Sequence, residues 1–188
     1  QNSIWDRTYT INDGRFYFHV KAKDKAGNWG AATHYTLLVD TSAPSTPQIV
    51  EPAKYTNTTN ATFNWTRSMD AESGVDNYTL QVDNNSDFSS PEFSAWVNNV
   101  TNYTVTGLTA DATYYARVHS RNLAGVNSSW SNTVSTIVDT TAPRITFSKP
   151  KPSGVVITQQ PVIVLHTDEK ATCTYRESTD PYRNFTFT

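Results

Sequence analysis

The sequence predicts an all-β protein built from tandem β-sandwiches. Short segments alternate apolar and polar residues, turn-forming clusters separate them, and no stretch keeps the 3.6-residue apolar period of a helix over three turns. The composition agrees, because Thr, Ser and Asn supply about a third of the 188 residues and aromatic residues supply 12%. A chain with this many aromatic side chains can form a buried hydrophobic core, and its threonines favour strands over helices.

The alternating segments have the length and spacing of sandwich strands. Each places its apolar members on one face, as Phe16 and Phe18 do in the first segment, and turn clusters such as Asn-Asp-Gly at 12–14 lie between segments. Many short strands at this spacing are typical of β-sandwich domains. The predicted strands lie at 16–22, 35–39, 61–65, 78–82, 114–118 and 162–164.

Charge and apolar run length exclude two classes of partner. The net charge is −2 and the sequence has no basic block, which argues against a nucleic-acid partner. The longest uncharged apolar run, 162–165, is far too short to cross a bilayer, so we expect no membrane span in this segment. No apolar stretch near residue 1 resembles a signal peptide, so an export signal is expected to be removed or to lie upstream.

An internal repeat divides the chain. Residues 19–28 match residues 117–126 at an offset of 98, and residues 39–44 match residues 138–143 at an offset of 99. The second match is an Asp-Thr-(Ser/Thr)-Ala-Pro linker, in which proline stiffens the chain and favours extended backbone before it. The repeat therefore predicts domain boundaries near residues 42 and 141.

The block between these boundaries resembles a fibronectin type III domain over 44–139, and with its linkers it takes residues 42–141. The resemblance implies that Trp65 is the core tryptophan. It also implies that the Tyr114 hydroxyl bonds the backbone of the preceding turn, as a tyrosine corner. Three segments match the family's second strand, third strand and turn into the sixth strand: 61–65, 75–82 and 107–114.

The flanks look like two halves of one further sandwich. Residues 1–41 hold only late strands and residues 142–188 only early strands. They resemble the C-terminal and N-terminal halves of the immunoglobulin-like repeats of large bacterial and archaeal cell-surface proteins. We therefore expect tandem immunoglobulin-like and fibronectin type III sandwiches, with the flanking domain split between the two chain ends.

Each half needs a complement from outside this stretch of chain, because three strands alone leave a core open and edges unpaired. Identical neighbouring units would supply it, either as separate subunits or as successive repeats of one polypeptide. The chain is then the repeat unit of an extracellular filament or cell-surface stalk. The rejoined core is predicted to contain Phe16, Phe18, Val20, Tyr35, Leu37, Val162, Val164 and Tyr175.

Asn-x-Ser/Thr glycosylation sequons occur nine times. Those on strands alternate with apolar residues, so we predict that their asparagines, Asn77 included, face solvent and carry covalent glycans at the cell surface. An Asn- and Thr-rich β-surface also produces sequons by composition alone, which explains about half of them. The nine are Asn57, Asn60, Asn64, Asn77, Asn84, Asn99, Asn102, Asn127 and Asn184.

Asp40 and Asp139 are weak candidates for calcium ligands, because each ends the last strand of a repeat copy beside a linker. Calcium needs about six to eight oxygen ligands, and no D-x-D-x-D-G run supplies them, so capping of turns is favoured and no other cofactor is expected. Cys173 alternates with Ala171 and Tyr175 on a predicted strand. It is interpreted as a small buried hydrophobe, with an interchain bridge or a reactive thiol as the alternative.

No motif indicates catalysis, and we expect a non-enzymatic protein. The sequence has no G-x-S-x-G, no H-E-x-x-H and no glycine-rich phosphate loop. The histidines stand apart in the sequence, without metal-ligand spacing or a neighbouring nucleophile. They are His19, His34, His119 and His166.

Exposed aromatic side chains keep a second function open. Rings at Trp29, Trp96 and Trp130 could stack on sugars, which would make the chain a carbohydrate-binding or adhesion module of a secreted multidomain protein. The competing interpretation is cation–π stacking within the sheet surface. The pairs would then be Trp130 with Arg117 and Arg121, and Trp29 with Lys21 or Lys23.

Overall fold

The computed structural model describes residues 7–149 and 164–174. Within these ranges all regular structure is β, which confirms the all-β prediction. The chain divides into two compact units, Gln1–Thr140 and Thr141–Thr188. The strands are β1 (Gly14–Val20), β2 (Thr33–Val39), β3 (Ile49–Val50), β4 (Tyr55–Thr56), β5 (Ala61–Trp65), β6 (Val75–Asp83), β7 (Phe93–Trp96), β8 (Asn102–Val105), β9 (Ala112–Asn122), β10 (Val134–Val138), β11 (Ile145–Lys149) and β12 (Val164–Thr167).

Strands β3 to β10 form a sandwich of two sheets. One sheet has the order β3-β5-β8 and the other β4-β10-β9-β6-β7, with only β4 and β10 parallel among these pairs. Alternation along β5 shows why the sheets pack. Ala61, Phe63 and Trp65 are buried, whereas Thr62 and Asn64 between them are exposed.

Large side chains from both sheets fill the core. The rings of Trp65 and Tyr78 lie 5.7 Å apart at an interplanar angle of 52°, a tilted arrangement that aromatic pairs favour. Each fully buried large apolar side chain contributes roughly 1.5–3 kcal/mol to folding. The buried cluster comprises Ile49, Ala61, Phe63, Trp65, Tyr78, Leu80, Val82, Val97, Val105, Leu108, Tyr114, Ala116, Val118, Val134 and Val138.

Tyr114 makes the predicted tyrosine corner. It is buried on β9, and the Thr109 N–H donates a hydrogen bond of 2.9 Å to its hydroxyl oxygen. Gly107, at φ +76°, opens this turn in a backbone region that glycine adopts without strain. The corner therefore closes the turn onto the strand that follows it, and the predicted role of Trp65 in the core is likewise confirmed.

The predicted solvent exposure of Asn77 is wrong. The pairing of β6 with β9 shifts register between Val75 and Asn77, which is the mark of a β-bulge. The bulge breaks the alternation, so that Asn77 and Tyr78 are both buried, with Asn77 only 7% exposed. The Asn77 Nδ2 donates a hydrogen bond of 2.8 Å to the Asp76 carboxylate, and its Oδ1 is buried with no hydrogen-bond partner.

Strands β1 and β2 form a separate two-stranded hairpin in the first unit. Directly opposed residues share a face, so the pairs Phe16–Leu37 and Phe18–Tyr35 lie on one side of the hairpin. The pair His19–His34 lies on the other side. The hairpin thus has one apolar face and one polar face, as the alternation predicted.

The second unit contains the pair β11–β12. Phe147 lies opposite Leu165, so the apolar face of this pair carries Leu165, whereas Val164 lies on the other face of β12 with exposed His166. The predicted inward face of β12 was therefore wrong by one residue. The run 162–165 is apolar throughout, so its sequence allows either alternation and only the pairing decides between them.

Candidate functional site

The most prominent surface feature is the apolar face of the β1–β2 hairpin. Phe16, Phe18 and Leu37 on this face are only partly buried, while Val20 and Tyr35 are 63% and 65% exposed. The five residues predicted for a shared core from this end of the chain therefore lie together on one exposed face. Val162 and Tyr175, predicted for the same core, lie outside the described residues.

The second copy of the repeat has the same backbone pairing but is buried. Strands β9 and β10 pair Ala116 with Val134, which is the register of Phe18 with Tyr35 in the hairpin. At the positions that match the exposed Val20 and Tyr35, Val118 and Val134 are 0% and 3% exposed. The hairpin is thus built like the last two strands of a sandwich, with its core face exposed.

The loops of the two copies also match. The Asp24 N–H donates to the Asn28 carbonyl at 2.9 Å, and the Gly27 N–H to the Asp24 carbonyl at 3.1 Å. At the offset of 98, the Asn122 N–H donates to the Val126 carbonyl at 3.0 Å in the same way. In both loops the side chain of the first residue accepts a bond of 2.8 Å from the last N–H. The internal repeat is therefore a structural repeat.

A carboxylate fastens the linker after each copy. The Asp13 carboxylate accepts bonds from the Thr41 N–H and hydroxyl, both 2.9 Å, and from the Ser42 hydroxyl at 2.8 Å. These donors, Ser42 first and then Thr41, lower the pKa of Asp13 below its ordinary value. In the second copy, Asp111 accepts from the Thr140 N–H at 3.3 Å. We call the contact of Asp13 with Thr41 and Ser42, and the contact of Asp111 with Thr140, a linker clamp. One clamp thus lies at each of the two repeated linkers.

Asp40 binds the first linker to the sandwich. Its carboxylate accepts from the Asn122 Nδ2 at 2.8 Å and from the Ser73 hydroxyl, and it caps the Ser42 N–H at 3.0 Å. The Asn122 amide also donates to the Ser42 carbonyl at 2.9 Å and to the Asp70 carboxylate at 3.2 Å. Asp40 and Asn122 are both buried, so this cluster anchors the hairpin's linker against loops of the sandwich.

Three carboxylates lie close together at this junction. Ligand oxygens of Asp40, Asp70 and Glu72 fall within 4.8 Å of one another. Burial raises the pKa of Asp70, but bonds from the Gly74 N–H and the Asn122 amide outweigh it and hold the pKa below its ordinary value. Since Asp40 and Asp70 already accept bonds from Asn122 and neighbouring groups, the geometry fits the predicted capping role of Asp40. Calcium binding at Asp40 or Asp139 stays a prediction.

Aromatic and cationic side chains form a ladder on the outer face of the five-stranded sheet. The Arg117 guanidinium lies 4.0 Å from the ring centroid of Phe88 and 4.4 Å from that of Trp130. His119 meets Trp130 edge-on, with 4.3 Å between centroids. Burial, and then the neighbouring arginines, lower the pKa of His119. The predicted stacking of Arg117 on Trp130 is confirmed.

The predicted stacking of Arg121 on Trp130 is wrong. Arg121 lies over Trp96, 5.1 Å from its centroid, because Arg117 and His119 already occupy the ring of Trp130. In the hairpin, Lys23 stacks on Trp29 at 5.4 Å, which confirms one of the two predicted partners for that ring. Trp96 is nevertheless 64% exposed at the β7 edge of the sheet, so one side of its ring stays open to solvent.

The sequon asparagines divide into three groups. Asn77 is buried and Asn184 lies outside the described residues. Asn99 is exposed, yet its Nδ2, the atom to which a glycan would be attached, donates a hydrogen bond of 2.8 Å to the Val75 carbonyl. The exposed asparagines of the described sequons are Asn57, Asn60, Asn64, Asn84, Asn99, Asn102 and Asn127.

A pair of histidines was missed by the sequence analysis. His19 and His34 stand directly opposite each other on β1 and β2, with 2.5 Å between their Nδ1 atoms and 4.7 Å between ring centroids. Both side chains are exposed. Fifteen residues separate them in sequence, so only pairing the two predicted strands in register could have brought them together.

These features define a class of protein: a β-sandwich module whose conspicuous surfaces are an exposed strand face and linkers held by hydrogen bonds. Its family is also clear. The model of the fibronectin type III domain matches residues 42–137, and the chain belongs to this family. Among the described residues, none forms a helix long and apolar enough to cross a membrane.

Relatives carry the matching segment as a small part of longer proteins. The chain is 33% identical over 156 residues to chitinase A1 of Niallia circulans, spanning 76% of this chain and 21% of that protein. It is 37% identical over 127 residues to exoglucanase A of Cellulomonas fimi, spanning 63% of this chain and 14% of that protein. The chain therefore covers about a fifth or less of these relatives.

Two solved structures are similar to parts of the chain. The sixth fibronectin type III domain of human fibronectin type III domain containing protein 3 is 21% identical, with a TM-score of 0.41 over 55% of this chain and 93% of that one. An Fn3-like protein from Clostridium thermocellum is 25% identical, with a TM-score of 0.37 over 50% of this chain and 93% of that one.

Proposed function

We propose that this chain is a structural repeat of an extracellular filament or cell-surface stalk, and that neighbouring units assemble by completing a split β-sandwich. One observation carries the proposal. The β1–β2 hairpin has the register of β9–β10, yet the face that β9–β10 bury in a core is exposed in the hairpin. A sheet face of this kind is stable when a second sheet covers it.

The proposed occupant is the segment 142–188 of an identical neighbouring unit. The sequence predicts that this segment holds the early strands of a sandwich. Its described pair β11–β12 also exposes apolar residues, with Ile145 and Phe147 about half exposed. The two flanks would then be halves of an immunoglobulin-like repeat. Because the late half of one unit takes the early half of the next, the contact is head-to-tail and propagates into a fibre.

The linker contacts support a mechanical role. Asp13 and Asp40 hold the first linker through hydrogen bonds. Pro44, which ends this linker, and Pro47, three residues further on, are both buried. Proline restricts the backbone, so a short linker fastened on both sides acts as a stiff joint. Stiff joints between sandwiches extend a stalk instead of letting it collapse.

The relatives support an extracellular, multidomain setting. Chitinase and exoglucanase act on polymers, and the matching segments occupy a minor part of each chain, so the module accompanies another activity there. We infer that this chain is likewise a non-catalytic part of a secreted protein. Exposed sequon asparagines on the sandwich would carry its covalent glycans.

Self-association of the 188-residue chain tests the split sandwich. We expect sedimentation velocity to show species that grow with concentration, and Phe18→Asp to abolish them because a charge would enter the shared core. Tyr17→Asp is the matched control, since Tyr17 is the next residue but lies on the opposite face and is exposed. A chain that stays monomeric at every concentration, or equal loss with both variants, would contradict the proposal.

Carbohydrate binding is the second candidate, and the open side of the Trp96 ring together with the two glycosidase relatives favours it. Sugars stack on such rings through their apolar C–H faces. The test is retention of the chain on insoluble chitin and cellulose. Loss of retention with Trp96→Ala but not with Trp29→Ala, an equally exposed ring on the hairpin, would support this candidate. No retention of the unmodified chain would reject it.

A further inference from the structure

We propose that His19 and His34 form a binding site for a divalent transition-metal ion, with Zn²⁺ as the representative ion. The site goes beyond the proposed filament function, because it lies on the face of the hairpin opposite the apolar one. It requires nothing from a neighbouring unit. The argument rests on the positions of the two rings and on the chemistry of neutral imidazole.

The two rings direct the same atom at each other. Their Nδ1 atoms are 2.5 Å apart while the ring centroids are 4.7 Å apart, so the two nitrogens lie between the rings and face each other. Two neutral imidazoles can share that space only if one ring nitrogen carries a hydrogen and the other accepts it. A metal ion can bind both Nδ1 atoms once the protonated ring takes its Nε2–H tautomer, in which solvent carries the proton from Nδ1 to Nε2 and both rings stay neutral.

Zinc fits this space after a small movement. Zn–N bonds of about 2.0–2.1 Å at a tetrahedral angle put the two ligand nitrogens about 3.3 Å apart. The Nδ1 atoms must therefore separate by about 0.8 Å, and each ring must turn so that its lone pair meets the ion. Both rings are exposed, so the side chains have room for these rotations. The backbone register that holds the two residues opposite each other does not need to change.

The surroundings leave the site accessible and selective. Tyr17 and Thr36, the next cross-strand pair on this face, have hydroxyl side chains and bring no carboxylate or basic group to the site. Among the described residues, the group of three or more potential ligands lies elsewhere, at Asp40, Asp70 and Glu72. The pair thus supplies two ligands and water completes the coordination. Imidazole ligands favour Zn²⁺, Cu²⁺ and Ni²⁺ over Mg²⁺ and Ca²⁺.

The experiment is a titration of the 188-residue chain with zinc chloride, followed through the imidazole C–H signals in NMR spectra. We expect the signals of His19 and His34 to shift together and saturate, while those of His119 and His166 stay in place. Magnesium chloride should shift none of them. A failure of zinc to move the first pair, or equal movement of all four histidines, would overturn the proposal.

Variants separate chelation from a loss of hairpin structure. His34→Gln keeps a polar side chain on the strand and should weaken zinc binding at least about tenfold. His166→Ala, which removes an exposed strand histidine from the second unit, should leave the affinity unchanged. Amide signals of Phe16 and Phe18 report whether the variant hairpin is formed. Unchanged zinc affinity in a folded His34→Gln chain would overturn the proposal.

Hydrogen exchange gives an independent readout. An ion bound across the two strands stabilises the paired state, so amide exchange in β1 and β2 should slow by up to about a hundredfold at a zinc concentration a hundred times the dissociation constant. The sandwich amides should not respond. Zinc that binds without slowing exchange in the hairpin would contradict a site that bridges the strands. This result is independent of whether units assemble, so its failure leaves the proposed function untouched.

Discussion

The hairpin of β1 and β2 and the hairpin of β9 and β10 are two copies of one structure in different surroundings. They share strand register, loop hydrogen bonds and a carboxylate that fastens the following linker. They differ in burial, since the second copy lies against the β3-β5-β8 sheet and the first shows its apolar face to solvent.

This difference separates what local sequence encodes from what packing adds. The loop geometry and the register persist in the hairpin without a covering sheet, so they follow from the residues of the hairpin itself. Burial of the apolar face requires a second sheet, and burial supplies most of the free energy of folding. The same substitution should therefore have very different effects in the two copies.

The largest contrast is expected for a charge placed at matching valines. Val118→Asp buries an unpaired carboxylate in the core and should destabilise the sandwich by more than about 4 kcal/mol, enough to unfold it. Val20→Asp adds the same charge at an exposed position and should change the stability of the sandwich by less than about 0.5 kcal/mol. Urea unfolding followed by Trp65 fluorescence measures both. Similar losses would mean that the first copy is already covered.

The loop side chains should give the next largest contrast. Asn122→Ala leaves the buried Asp40 carboxylate without its amide donor and removes the bond to Ser42, so we expect a loss of about 3 kcal/mol in unfolding free energy. Asp24→Ala, the matching change in the exposed loop, should cost less than about 1 kcal/mol. Thermal unfolding of the two variants compares them, and equal losses would argue against a special role for the buried junction.

A smaller effect is expected at the tyrosine corner. Tyr114→Phe removes one hydroxyl that accepts from the Thr109 N–H, and this should cost about 1 kcal/mol. The matching residue of the first copy is Phe16, which has no hydroxyl, so the exposed hairpin does without this bond. Tyr17→Phe is the control for loss of an exposed hydroxyl. A cost below the error of chemical denaturation would show that the corner contributes shape and not stability.

The smallest effect is a dependence of stability on pH through His119. Burial lowers the pKa of this imidazole below 6.5, so the unfolded chain binds a proton more readily than the folded one. The unfolding free energy should therefore decline as the pH falls below 6.5 and level off below the pKa of the folded state. His119→Gln should flatten this part of the profile, and an unchanged slope in that variant would assign the dependence to another group.

Local pattern was enough to predict the sandwich. Alternation along β5, the turn before Tyr114 and the repeated linker each depend on residues close in sequence, and the structure contains all three. The stacking of Arg117 on Trp130 followed from the same logic, since a ring after a hairpin loop returns over the strand that precedes it.

The remaining features depend on pairing between distant residues. The bulge that buries Asn77 arises from how β6 meets β9, and the contact of Arg121 with Trp96 spans three strands. Likewise, the contact of His19 with His34 can be predicted only when each residue of β1 is assigned its correct partner on β2. A one-residue change of register moves every such side chain to the other face, and composition carries no information about it.

The linker clamp has a consequence for how such proteins lengthen. Asp13 with Thr41 and Asp111 with Thr140 each join two residues of the same copy. Each copy therefore carries the fastening of its own exit, and a gene duplication that inserts a copy brings a finished joint with it. A chain assembled in this way can gain or lose domains over evolution while each remaining copy keeps its own linker clamp.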